Sequence, residues 1–186
     1  MLKIVLLSVF LGVYHAANIN DIYGNYTAVM VYPNISMPIC VKIAFAEDPR
    51  HIQCTCSDGN NSTLVEIKII ERIAPLRSIS EPSVVSGPIL TVDKVDNLLL
   101  LMNVTCDCAG QEFSFRGVVK TVNENYTLAY VRNGPRSATA RDSDFLLARS
   151  LPSAVELEAD VTSIEELKHR SGSVMCTREI YEFLCD

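Results

Sequence analysis

Seven cysteines are the residues of this chain with the most evident chemistry. They are Cys40, Cys54, Cys56, Cys106, Cys108, Cys176 and Cys185. The middle four form two Cys-x-Cys pairs, which could offer four thiolates to a metal ion, but structural zinc sites more often place about two to four residues between cysteines. A bridge within one pair is strained, so each cysteine would find its partner elsewhere. The pattern favours disulfides, and the odd cysteine is either a free thiol or a link between two chains.

The N-terminal segment predicts export to an oxidising compartment, where disulfides persist. Lys3 precedes an apolar run at positions 4–13 that is too short to cross a bilayer, and Ala16 and Ala17 follow it. We expect residues 1–16 to be a signal peptide, cleaved after residue 16 or 17, and residues 17–186 to form one secreted domain. Several glycosylation sequons support this expectation. They are Asn25, Asn34, Asn60, Asn61, Asn103 and Asn125.

Charge and composition argue against several function classes. Twenty-two acidic residues against sixteen basic ones give a net charge of −6, which is the opposite of a nucleic-acid-binding surface. No later apolar run is long enough for a membrane span. Neither a Ser/His/Asp grouping, nor a phosphate-binding glycine loop, nor a pair of carboxylates facing one site can be placed. We therefore expect neither an enzyme nor a cofactor.

The pattern along the rest of the chain is typical of an all-β protein. Short apolar segments, several alternating with period two, are separated by turn-forming residues. The predicted strands cover 26–32, 41–46, 52–56, 64–70, 98–106, 113–121, 126–131 and 145–149, with 89–92 as a further short segment. Hairpins would join these strands in sequence order, as a sandwich or a closed barrel. One amphipathic helix begins after Pro152, with Val155, Leu157, Val161, Ile164 and Leu167 near helical spacing.

The sequons predict which way the strands face. A glycosylated Asn points outward, so its neighbours in a strand point inward. If Asn25, Asn103 and Asn125 point outward, the alternate residues of their strands that point inward are mainly apolar. These sets are Tyr26, Ala28, Met30 and Tyr32; Leu98, Leu100, Met102 and Val104; and Tyr126, Leu128 and Tyr130.

Three separated motifs resemble those of the lipocalins. The sequence Gly24-Asn25-Tyr26 is similar to the Gly-x-Trp that enters the family's first strand, with Tyr in place of Trp. Thr121 and Tyr126 match the ends of the family's Thr-Asp-Tyr-x-x-Tyr, and Arg149 stands where the family has an Arg after its last strand. The resemblance implies an eight-stranded up-and-down antiparallel barrel with one C-terminal α-helix packed outside. In lacking this Trp, the chain resembles divergent secreted lipocalins of arthropods.

The resemblance also implies an orientation for the barrel. Tyr26, Thr121 and Arg149 would lie at its closed base, with residues 89–92 in the connection between the fourth and fifth strands. The loops 33–40, 57–63, 107–112 and 132–143 would form the mouth. The two Cys-x-Cys pairs would then bond to each other, and Cys40 would meet Cys176 or Cys185, as similar bridges do in the family.

The function implied is that of a secreted carrier for a small hydrophobic molecule such as a pigment, retinoid or fatty acid. An eight-stranded barrel is either filled by side chains or holds one small ligand. The predicted lining is apolar with a few phenol hydroxyls, which suits such a ligand. It comprises Met30, Tyr32, Ile43, Leu100, Met102, Phe113, Phe115, Leu128, Tyr130 and Phe145.

Two alternatives remain open at this point. The same fold could bind a protein partner through the mouth loops, with the barrel filled by side chains. One lipocalin branch isomerises a lipid peroxide with a cavity thiol, a role open to Cys54 or Cys56 only if disulfides do not consume them. Some members hold haem iron with a histidine, but neither His51 nor His169 is expected to reach the cavity.

Overall fold

The computed structural model describes residues 19–32, 39–57, 59, 61–74, 77–79, 83–91, 105–114, 117–131, 143–165 and 167–185. This part of the chain is mostly β, with two short α-helices and a 3-10 helix, Ile19–Ile22. The expected signal peptide, residues 1–16, lies outside it.

Twelve strands are present in the described residues. They are β1 Gly24–Tyr32, β2 Cys40–Glu47, β3 Gln53–Cys56, β4 Asn61–Ala74, β5 Arg77–Ile79, β6 Ser83–Thr91, β7 Thr105–Cys108, β8 Gln111–Ser114, β9 Gly117–Thr121, β10 Tyr126–Val131, β11 Ser143–Ala148 and β12 Ser173–Val174. The α-helices are α1, Ala154–Ser163, and α2, Arg178–Cys185.

All twelve strands belong to one large sheet. Ten of them follow the order β12-β1-β11-β10-β9-β6-β4-β3-β7-β8, while β2 pairs with both β1 and β4, and β5 pairs with β4. The described pairs are antiparallel except β6 with β9, which are parallel. A large, mainly antiparallel sheet is therefore the architecture of this chain.

The strand order corrects the predicted meander. The expected third strand, 52–56, does not pair with β2; β2 pairs with β4 instead, where Lys42 lies opposite Glu71 and forms an ion pair of 2.6 Å. Residues 89–92 were expected in a connection, but 89–91 end β6, which pairs with β4. The strand β4 is long enough, at 14 residues, to pair with several neighbours along its length.

Two further predicted strands also differ. The segment 113–121 belongs to two strands, because β8 pairs with β7 whereas β9 pairs with β10 and β6. Gly117, with which β9 begins, is the local sign of a break within this segment. Of the segment 98–106, only residues 105 and 106 are described, and they lie in β7.

The two faces of the sheet carry separate apolar clusters. The helix-side cluster includes Leu157 of α1 together with Leu128, Tyr130 and Leu146. The second cluster, which we call the inner cluster, has no described residue from either α-helix. Its buried members are Ile22, Tyr26, Ala28, Val31, Phe45, Val65, Val119, Ala129, Leu147 and Met175.

The C-terminal region contains the predicted helix and a second one. Ser153 caps α1, because its hydroxyl accepts from the Glu156 N–H while the Glu156 carboxylate accepts from the Ser153 N–H at 2.7 Å. These bonds hold the pKa of Glu156 below its usual value. The helix α2 was not predicted, since eight residues give little periodicity. It packs through Ile180, Tyr181 and Leu184 on Cys40, Ile73 and Cys176.

Candidate functional site: the inner face of the sheet

One end of the inner cluster is covered by Arg149. Its guanidinium carbon lies 4.8 Å from the centre of the Tyr26 ring, and its N–H groups donate to the carbonyls of Tyr23, at 3.3 Å, and Asp21. Tyr26 and Arg149, which were expected at the same end, are therefore in contact. Gly24 has φ +132°, and a Cβ there would lie 3.0 Å from the guanidinium, so glycine leaves the room that Arg149 occupies.

Other large side chains close the same end. Phe45 meets Tyr26 edge-on with ring centres 5.6 Å apart, and Ile22 of the 3-10 helix is 1% exposed. The Tyr26 side chain is buried, and this desolvation raises its pKa, while Thr127 and Arg149 act in the opposite direction. The side chains beneath Arg149 at this end of the cluster are therefore buried.

The remaining motif residues lie near this end. Thr121 ends β9 opposite Thr127, and Tyr126 begins β10 opposite Ala148, next to Arg149. The Tyr126 hydroxyl donates to Asp160 of α1 at 2.6 Å. Burial and the Asp160 hydrogen bond raise the pKa of Tyr126 strongly.

Burial in the inner cluster decreases away from Arg149 along three strands. On β2, Phe45 lies opposite Gly24 and is buried, whereas Ile43 and Val41, further from that end, are half-buried. Val65 is buried and Ile67 half-buried on β4; Leu147 is buried and Phe145 half-buried on β11. On β1 and β10, Val31 and Ala129 stay buried. The inner face is thus sealed at the Arg149 end and partly accessible further along β2, β4 and β11.

The predicted ligand-lining residues do not share one face. Ile43 and Phe145 belong to the inner cluster. Five others belong to the helix-side cluster, namely Met30, Tyr32, Phe113, Leu128 and Tyr130. Leu100, Met102 and Phe115 lie outside the described residues. The predicted lining therefore mixes two faces of the sheet.

A bulge in β1 explains part of this division. Ala28 pairs with Leu147 but Met30 pairs with Leu146, so the register shifts at Val29. A one-residue shift moves the following side chains to the other face. Tyr26 and Ala28 are accordingly in the inner cluster, and Met30 and Tyr32 in the helix-side cluster. Because β1 is apolar at nearly every position, its sequence carried no signal for the bulge.

Turn geometry explains why the predicted facing of the side chains in β10 is wrong. Asn125 is exposed, but it lies in a turn where the Asn123 side chain accepts from the N–H groups of Asn125 and Tyr126, both at 2.9 Å. Its exposure therefore says nothing about strand facing. The alternate residue Thr127, expected to face outward, is only 2% exposed.

The cysteines form the expected cross-strand ladder. Cys54 bonds to Cys108 and Cys56 to Cys106, at directly opposite positions of β3 and β7. Residues i and i+2 share one face of a strand, so each Cys-x-Cys pair meets the other. With all four sulfurs bonded, these residues offer neither thiolates to a metal nor a thiol for isomerisation.

The third disulfide joins Cys40 to Cys176, and Cys185 is an exposed free thiol at the end of α2. Of the two partners expected for Cys40, the structure shows Cys176 and not Cys185. The bridge spans 136 positions of sequence and fixes the tail beside β2. Lys42 adds to this attachment by donating to the Tyr181 hydroxyl at 3.0 Å.

Neither candidate haem histidine reaches the inner cluster. His51 Nδ1 contacts a Glu47 carboxylate oxygen at 2.8 Å on the surface, and His169 is exposed. Among the described residues, no group of three or more His, Cys, Asp or Glu side chains could hold a metal ion. The sequon residues Asn25, Asn61 and Asn125 are exposed, whereas Asn34, Asn60 and Asn103 lie outside the described residues.

Sequence reasoning missed a clamp on the segment after α1. The Arg170 guanidinium carbon lies 4.3 Å from the Tyr32 ring centre and 5.9 Å from that of Tyr130, and Arg170 forms an ion pair with Asp144. A Cβ on Gly172 would lie 2.6 Å from Tyr32 ring carbons. These contacts hold β12 against β1 and join three strands that are distant in sequence, which no local pattern reveals.

Within the described residues, neither helix is long and apolar enough to cross a membrane. No protein-family model matches this chain, and no curated protein is significantly similar to it.

Proposed function

We propose that this chain is a secreted carrier of lipocalin type, which binds one small hydrophobic molecule against the inner cluster of a closed barrel. The observation that carries the proposal is the burial gradient of the inner cluster. Its side chains are sealed at the Arg149 end and partly accessible along β2, β4 and β11. Ligand sites of this kind are concave and mostly apolar.

The strand pairings support closure of the sheet. They lead from β1 through β11, β10, β9, β6, β4 and β2 back to β1. The proposed barrel therefore has seven strands in its wall, one fewer than expected, and β3, β7 and β8 form a disulfide-bonded ribbon beside it. A closed wall removes exposed edges that would otherwise pair with other chains.

The chemistry of the enclosed surface favours an apolar ligand. The inner cluster presents aliphatic, aromatic and methionine side chains, and the buried polar side chain placed against it is Thr127, beside Tyr26. An unpaired charge brought among them would lose its hydration without compensation. Binding rather than catalysis is the activity that such a surface supports.

The closed end supports the lipocalin assignment. Gly24, Tyr26 and Arg149 combine a glycine, an aromatic ring and a stacked guanidinium in the order and spacing that the family's motifs have. Three disulfides and the exposed sequon residues Asn25, Asn61 and Asn125 support secretion. The alternative of a protein partner bound through the mouth loops rests on 33–40, 57–63, 107–112 and 132–143, and most of the first and last of these lie outside the described residues.

Native mass spectrometry tests the carrier proposal. The protein should be secreted by cultured eukaryotic cells, purified without detergent and measured before and after extraction with an organic solvent. We expect an extra mass corresponding to one small molecule. Solvent extraction should remove this mass, and adding back the extract should restore it. A protein that carries no such mass, and that binds no uncharged apolar dye, would contradict the proposal.

A further inference from the structure

Two buried hydroxyl groups lie at the closed end of the inner face. Tyr26 is 2% exposed, and its hydroxyl oxygen has no hydrogen-bond partner among the described residues. Thr127, also 2% exposed, lies beside the Tyr26 phenol and acts to lower its pKa, against the desolvation that raises it. A buried hydroxyl without a partner is costly, so it indicates a group that the chain itself does not supply.

The position of this hydroxyl relates it to the proposed ligand site. Tyr26 is on β1 and Thr127 on β10, and these strands are not neighbours because β11 lies between them. The Tyr26 side chain therefore reaches Thr127 across the inner face, among Phe45, Val65 and Leu147. Arg149 covers the ring and is engaged by the carbonyls of Asp21 and Tyr23.

We infer that the Tyr26 hydroxyl, with Thr127 beside it, is the polar end of the ligand site and binds one uncharged hydrogen-bonding group of an otherwise apolar ligand. This inference rests on the proposed carrier function. An alcohol, ketone or ester oxygen fits, because a phenol can donate to it. A carboxylate does not fit, since the guanidinium stacked on the Tyr26 ring, that of Arg149, already donates to the carbonyls of Asp21 and Tyr23.

The test compares three probes with the same chain length: decane, 1-decanol and decanoate. Their affinities are measured by displacement of the uncharged fluorescent dye N-phenyl-1-naphthylamine from the wild type, from Tyr26→Phe and from Tyr126→Phe. Tyr126→Phe is the matched control, because that hydroxyl lies on the helix-side face and is bonded to Asp160. The melting temperature of each ligand-free protein is measured as well.

We expect Tyr26→Phe to weaken decanol relative to decane by about 3- to 10-fold, the worth of one uncharged hydrogen bond. Tyr126→Phe should leave that ratio unchanged, and ligand-free Tyr26→Phe should melt no lower than the wild type. An unchanged ratio in Tyr26→Phe, or decanoate as the tightest ligand, would overturn the inference. A lower melting temperature of ligand-free Tyr26→Phe would do so too, because the hydroxyl would then already be satisfied, for example by bound water. If decane and decanol both bind the wild type and only the ratio test fails, the carrier proposal stands. If neither the dye nor any probe binds the wild type, the carrier proposal and the inference about Tyr26 both fall.

Discussion

At the residue scale, the contact between Arg149 and Tyr26 is the part of the site that sequence predicts best. Gly24, Tyr26 and Arg149 are recognisable by type, and turn-forming residues mark the strand ends near which they lie. The backbone carbonyls of Asp21 and Tyr23 that receive the guanidinium were not predictable, because their position depends on the 3-10 helix and carries no side-chain signature.

Replacing Arg149 with Ala should lower the free energy of unfolding by about 1–3 kcal/mol, through lost packing on the ring and the loss of two hydrogen bonds to backbone carbonyls. Urea titration of the variant measures this loss. Arg149→Lys is the control that keeps the charge but not the planar stacking, and it should recover only part of the stability. Equal stability of Arg149→Ala and the wild type would contradict the role of this contact.

Buried tyrosines should make the fold sensitive to alkaline pH. Desolvation raises the pKa values of Tyr23, Tyr26, Tyr32 and Tyr126 above 10.0. Above about pH 10 the unfolded chain loses these protons first, so it binds fewer protons than the native state and stability falls as pH rises. Below that pH, both states are protonated and this contribution is constant.

Tyr126→Phe isolates the largest contributor. At neutral pH the variant should lose about 1–3 kcal/mol, because the hydroxyl no longer donates to the Asp160 carboxylate. Its unfolding free energy should then fall less steeply with pH above 10 than that of the wild type. Denaturant titrations from pH 7 to 11 measure both effects. If the unfolding free energies of the variant and the wild type fall in parallel above pH 10, the expected difference in slope is contradicted.

At the scale of elements, strand positions were more predictable than strand partners or facing. Alternation and turn residues locate β1, β2, β10 and β11 to within about two residues, as is usual for such signals. The predicted strand pairings were wrong where contacts between residues distant in sequence decide the pairing. The disulfides commit β3 to β7, and β2 pairs with β4, which no local pattern specifies.

The segment that carries β12 gives a test at this scale. Gly172→Ala should lower stability by about 1–3 kcal/mol, because its Cβ would overlap the Tyr32 ring, which Arg170 also holds. Hydrogen exchange should show loss of protection for the Met175 N–H, which bonds to the Val29 carbonyl at 2.8 Å. Ser171→Ala, at the exposed neighbouring position, is the control and should have little effect.

At the scale of the whole molecule, the disulfide count can be checked without a ligand. Reduction should add the mass of six hydrogens, for three bridges, and Cys185 alone should be alkylated before reduction. A covalent dimer that disappears on reduction would place Cys185 in a bridge between chains. Intact mass measured after enzymatic removal of glycans gives the result. A gain of four hydrogens would contradict the assignment.

The proposed closure of the sheet and the proposed ligand site in its interior go beyond what the sequence alone could decide. Apolar alternation is the same for a filled core and for a ligand site, and β1 is apolar on both faces. The proposed ligand site is supported by the decrease in burial along β2, β4 and β11 away from the end that Arg149 covers.

The most direct test of the central claim is a titration of N-phenyl-1-naphthylamine against two variants with the same substitution. Ile43→Arg places a charge in the half-buried part of the inner cluster, and Ile70→Arg places it on β4, where the side chain is already 42% exposed. We predict saturable binding to the wild type and Ile70→Arg, and loss of binding to folded Ile43→Arg, because an unpaired charge is excluded from an apolar site. Equal affinities for the two variants would contradict a ligand site on the inner face.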